Sequence, residues 1–163
     1  MGLINGDDGL PANEVGVWAK EKHGYLCRYV NICRKTREKY LGTGKSGAAY
    51  FDLFCATGRA RIKDTEEWIE GSAVAAWNTS VADGAPFSAI YVSDIDEESL
   101  NACVTRLKAL GAPVMPIHAR AVDAVPQMVR SVSHYGLHFA FIDPYSLGAL
   151  DFDIIKRLAK LKR

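Results

Sequence analysis

Residues 52–61 read Asp-Leu-Phe-Cys-Ala-Thr-Gly-Arg-Ala-Arg and follow directly on a short apolar run. A carboxylate, Asp52, and two small residues, Ala56 and Gly58, therefore meet where a strand would end. Small residues at such a place let the backbone come close to a bound ligand. A second carboxylate, Asp94, lies in Tyr-Val-Ser-Asp-Ile-Asp, about one βαβ unit further on. That is where a ribose diol is held by two hydrogen bonds. Ser93, Asp94 and Asp96 also suit the N-cap of a helix opening near Glu97. The two roles are compatible, with Asp94 as the ribose ligand and Asp96 as the cap.

Asp123, in His-Ala-Arg-Ala-Val-Asp, suits the exocyclic amine of an adenine, and equally the acidic first turn of a helix. His118 at the start of that segment is either a member of the same rim or a histidine satisfied by its own neighbours. The last group is Asp143-Pro144-Tyr145, in which a carboxylate and a flat ring sit on a turn fixed by proline. Gly44-Lys45-Ser46 looks like the end of a phosphate-binding P-loop, but the position that needs the first glycine is Lys39, and the segment precedes a strand rather than following one. It is read as a loop.

These groups share one site only if the elements between them bring them together. Residues 48–54, 87–92, 114–118 and 137–142 are short apolar runs suited to buried strands, and residues 72–80, 97–110, 122–133 and 152–161 have helical patterning. Ser72 is the expected N-cap of the first of these helices, and Gly111 the expected stop of the second. Strand alternating with helix at this spacing predicts an α/β fold with a doubly wound parallel sheet. In such sheets ligands lie beyond the carboxyl ends of the strands, where the strand order reverses. Ahead of this domain, at 48–163, residues 15–47 form a helical segment and a loop. Residues 1–14, rich in Gly, Asp and Asn, are expected to be a flexible leader.

The totals bound the function. The chain has 163 residues, 48% hydrophobic and 24% charged, which suits one globular domain with a real core. Its 20 basic and 19 acidic residues create no overall basic field, so any nucleic-acid contact would have to be local, for example through the basic stretch at residues 34–39. No run has the length of a membrane span and the start lacks signal-peptide patterning, so no membrane association and a cytoplasmic location are expected. Cys27, Cys33, Cys55 and Cys103 form no C-x-x-C pair and no zinc-ligand spacing, so reduced thiols and no metal are expected.

Together the segments carry a resemblance. Asp-Leu-Phe-Cys-Ala-Thr-Gly resembles the D-L-F-x-G-x-G motif of methyltransferases that bind S-adenosylmethionine. Tyr-Val-Ser-Asp-Ile-Asp resembles their acidic ribose motif, and Phe-Ile-Asp-Pro-Tyr the Asp-Pro-Pro-Tyr motif of amino-methyltransferases. More narrowly, WAKEKHGYLCRYV, FDLFCATGRARIKDTEEWIEGSAVAA and FAFIDPYSLGALDF resemble the three-Cys-motif partner protein family. The resemblance implies a Rossmann-like methyltransferase fold, here with its C-terminal strands missing after the fourth strand. It further implies S-adenosylmethionine as cofactor, held by Asp52, Phe54, Cys55, Ala56, Thr57, Gly58, Asp94, Ile95 and Asp123. Asp143, Pro144 and Tyr145 then face the methyl acceptor, and nucleic acid is the expected acceptor. The alternative is an inactive methyltransferase fold that assembles with a three-Cys-motif protein. Ala56 stands where many relatives have the first loop glycine, and a single proline follows Asp143 where amino-methyltransferases have two. A nicotinamide-dependent oxidoreductase is disfavoured because no G-x-G-x-x-G is present.

Overall fold

The computed structural model describes residues 2–146, 148 and 150–161. In chain order the elements are β1 (Ile4–Asn5), β2 (Pro11–Val15), α1 (Trp18–Ile32), α2 (Arg34–Glu38), β3 (Ala48–Asp52), β4 (Arg59–Ile62) and β5 (Trp68–Glu70). There follow α3 (Ser72–Ala82), β6 (Ala89–Asp94), α4 (Glu97–Ala109), β7 (Val114–His118), α5 (Ala121–Ser131), β8 (Leu137–Phe141) and α6 (Phe152–Leu158), with a last turn at Ala159–Leu161.

The chain is an α/β protein built on a four-stranded, all-parallel sheet of order β7-β6-β3-β8, flanked by helices. β3 lies inside the sheet and is buried at every position, which is why its sequence is a continuous apolar run. Side chains still alternate between faces. Tyr50 packs with Leu26 and Val30 of α1, Trp77 of α3 and Leu107 of α4 on one side. Phe51 packs with Val125 and Met128 of α5 and Ile154 of α6 on the other. The domain thus has three layers, two hydrophobic cores, and a reversal of strand order between β3 and β8.

Three expectations are corrected. Residues within 1–14 are not a free leader: β1 and β2 pair antiparallel around a turn at residues 6–10, and β2 pairs parallel with β4. The Gly and Asp residues that suggest a leader serve the turn instead, with Gly9 at φ 79° and the Gly6 amide bonded to the Leu10 carbonyl. The helical segment expected within residues 15–47 is not one helix, since Val15 ends β2 and Cys33 separates α1 from α2. Ser72 is not a cap; Gly71 takes that position and the Ser72 hydroxyl points at Asp52. The charged stretch after the glycine loop is the β4–β5 hairpin, completing a second sheet of order β1-β2-β4-β5. Among the described residues no helix is long and apolar enough to cross a membrane.

Candidate functional site

All strands of the parallel sheet point their carboxyl ends at one rim, so the segments after β3, β6, β7 and β8 converge. Between them is a cavity of about 380 Å³ lined by Leu53 and Phe54, by Asp94 and Ile95, by residues 119–122, and by Gly148 and Asp151. Of the residues expected at a cofactor, Phe54, Asp94 and Ile95 line this cavity. Ala119, Arg120, Ala121 and Asp151 line it too and were not singled out in the sequence. Ala119 and Ala121 are small, and Arg120 and Asp151 stand at the N-caps of α5 and α6, places that carry no motif.

The loop at residues 53–58 is held closely by its surroundings. Asp52, which precedes it, has no exposed surface. Its carboxylate accepts hydrogen bonds from the Ser72 hydroxyl (2.6 Å), the Tyr50 hydroxyl (3.3 Å) and the Phe54 amide (3.3 Å). Burial outweighs these bonds and pushes its pKa from 3.8 up to about 6. Asp52 therefore holds the start of the loop rather than touching a ligand. Cys55 is also buried, and both burial and its contact with Cys103 push the thiol up, which removes nucleophilic character.

Ala56 adopts φ 48°, the left-handed region that favours glycine. Its amide donates to Asp94 Oδ2 (2.9 Å), while the Thr57 amide and hydroxyl donate to Asn13 Oδ1 (3.2 and 2.7 Å). Gly58, at φ 77°, lies where a Cβ would stand 3.2 Å from both Cys103 Sγ and Val74 Cγ2. The glycine is required by helix packing; it does not line the cavity.

Asp94 is the most informative residue. Oδ2 holds the Ala56 amide and Oδ1 the Asp96 amide, each at 2.9 Å. Each carboxylate oxygen has a second lone pair, so Asp94 can hold the loop and accept hydroxyl donors from the cavity at once. Asp96 caps α4 through the Ser99 amide, as its position suggests, and hydrogen bonding by the Ser99 side chain and then its amide holds the carboxyl below the ordinary range. His118 is satisfied locally, its Nε2 lying 2.9 Å from the Ile95 carbonyl. Asp123 is exposed on the first turn of α5 and does not line the cavity.

Asp143, Pro144 and Tyr145 follow β8 at the other end of the rim. Asp143 forms an ion pair with Lys22 of α1, whose ammonium also sits 4.4 Å over the Trp18 ring. Pro144 is half-buried and Tyr145 is 85% exposed. Beside them, α1 and β8 border a groove of about 510 Å³ lined by Trp18, Lys22, Tyr25, Tyr29, Phe139 and Phe141, among others. The structure thus gathers Phe54, Asp94 and Ile95 into one cavity and leaves the Asp143 turn facing α1. Among the described residues no cluster of His, Cys, Asp and Glu could hold a metal ion. Comparison with protein-family models gives no match, and comparison with curated proteins gives none either.

Proposed function

We propose that this chain has a methyltransferase-type fold that binds S-adenosylmethionine and acts on nucleic acid. The observation that carries the reading is the convergence of all post-strand segments of the parallel sheet on one cavity that contains Asp94. Its volume lies within the usual range for small-molecule sites. Phe54, Leu53, Ile95 and Val122 offer apolar walls to an adenine, and the spare lone pairs of Asp94 suit a ribose diol. The residues present fit the nucleoside half of the cofactor. When bound, the cofactor would supply a methyl group activated on a sulfonium.

The protein's part is positioning and electrostatics. Asp94 orients the nucleoside while holding Ala56, and Asp52 fixes the start of the loop. Asp143 faces an acceptor amine only when its pair with Lys22 opens, and the exposed Tyr145 is free to stack on a flat ring.

A second reading, an inactive fold that assembles with a three-Cys-motif protein, draws on separate observations. The amides of Ala56 and Thr57 already have protein partners, and so does Asp143. Calorimetry with S-adenosylmethionine tests the first reading: wild type binds, and Asp94→Ala weakens binding at least ~10-fold, the equivalent of ~1.4 kcal/mol. Equal binding by both proteins refutes the ribose assignment. Wild-type binding without transfer of labelled methyl to DNA or RNA favours the second reading.

A further inference from the structure

We infer that the N-terminal segment, residues 4–15, positions the loop at residues 53–58, with Asn13 and Arg106 as positioning residues. As a statement about ligand affinity, this rests on the cofactor reading of the cavity above. As a statement about the loop, it rests on geometry alone.

The loop is gripped from two sides. On the cavity side the Cys55 amide bonds to the Ser93 carbonyl (3.1 Å) and the Ala56 amide to Asp94 (2.9 Å). On the opposite side the Gly58 carbonyl accepts from the Gly71 amide (2.8 Å), and the anchors of Thr57 lead to the N-terminal segment. Asn13 Oδ1 accepts from both the amide and the hydroxyl of Thr57. Arg106, buried on α4, donates through Nη1 to the Thr57 carbonyl (2.6 Å) and to the Pro11 carbonyl (2.8 Å). Its Nε and Nη2 donate to the two carboxylate oxygens of Asp8, both at 2.7 Å. One guanidinium therefore fastens the segment and the loop to the same helix, and planar bidentate pairing of this kind fixes direction as well as distance.

The exit of the loop is fixed by the same segment. Asn13 lies opposite Ala60 in the β2–β4 pairing, and Arg59 donates to Asp7 at 2.9 and 2.6 Å. The arrangement matters because Asp94 has two tasks, holding Ala56 and facing the cavity. When a ligand draws on Asp94, the Asn13 and Arg106 anchors keep Phe54 against the cavity. The segment thus acts as a strap whose effect on affinity is remote from any ligand contact.

Amide hydrogen exchange on peptides covering residues 53–58 tests this without a ligand. Asn13→Ala should speed exchange there about 10-fold, the effect of one lost hydrogen bond, while peptides from β6 and α4 stay as in wild type. Asn13→Asp keeps the acceptor oxygen and should restore the wild-type rate. Should Asn13→Ala fail to fold, Asp8→Asn, which weakens the Arg106 pair and leaves an oxygen for the Leu10 amide, is read on the same peptides. Calorimetry with S-adenosylhomocysteine runs alongside, with Kd expected to rise about 10-fold in Asn13→Ala and to recover in Asn13→Asp. Unchanged loop exchange in the folded variants overturns the inference. Faster exchange with unaltered affinity overturns the link between strap and cavity. Faster exchange in a wild-type background that binds no S-adenosylhomocysteine leaves the positioning role standing and removes the cofactor reading instead.

Discussion

Replacing Asp52 by Asn should make the protein more stable at neutral pH, although the residue sits at the centre of a hydrogen-bonded group. The carboxylate has no exposed surface, and its pKa is raised from 3.8 to about 6, chiefly by burial. The folded state therefore holds the proton more tightly than the unfolded chain does. The corresponding stability is complete below pH 3.8, declines as pH rises, and is gone above about pH 6. Each pKa unit is worth ~1.4 kcal/mol, so ionising Asp52 in place costs ~3 kcal/mol at neutral pH.

Asparagine is the neutral counterpart. Its carbonyl can keep the Phe54 amide, and the Ser72 and Tyr50 hydroxyls can turn to accept from its amide group. Urea denaturation of both proteins from about pH 4 to about pH 8 is the assay. The variant should be more stable by up to ~3 kcal/mol at the upper end, with the advantage closing as pH falls through the interval. Taking the difference between two proteins removes the other carboxylates, including Asp8, which Arg106 holds at about 2 and which acts in the opposite direction at lower pH. A difference that does not change with pH, or a wild type that is the more stable protein at pH 7, refutes the reasoning.

Two further outcomes follow from geometry already described. Gly58→Ala places a methyl group against Cys103 and Val74 at a left-handed backbone position, and should lower stability by about 2–4 kcal/mol in the same denaturation assay. Lys22→Met releases Asp143 from its ion pair; if Asp143 faces an acceptor, labelled-methyl transfer should rise in this variant, and an unchanged or lower rate counts against that role.

The parallel sheet was legible because buried strands are written as near-continuous apolar runs, and the bounds of β3, β7 and β8 lie within two residues of those expected. The cap at Asp96 was legible for the same reason, being a local signal read across three residues. What escaped was non-local. Gly, Asp and Asn in the first residues describe a turn and a leader equally well, and only a partner strand far along the chain decides between them. That partner, Arg-Ala-Arg-Ile in β4, alternates half-buried and buried positions, with Ala60 and Ile62 inside. The alternation was present in the sequence but too short to stand out from a charged stretch. At the site, the motif residues were easy to find and hard to assign. Asp52 holds the loop by hydrogen bonds and Gly58 serves packing, Lys22 occupies Asp143 from a helix more than a hundred residues away, and Arg120 and Asp151 line the cavity from helix N-caps without a motif.

The two rims of the parallel sheet differ in what they permit. β7 carries Pro116, which lacks an amide hydrogen, so its outer border is a poor template for another strand. β8 has neither a proline nor an acidic, lysine or arginine side chain, and among the described residues no strand pairs along its outer side. The sheet is thus less open to growth at the β7 margin than at the β8 margin. A polypeptide that lengthened it along β8 would join beside Phe139 and Phe141 and meet the aromatic groove of α1 as it arrived.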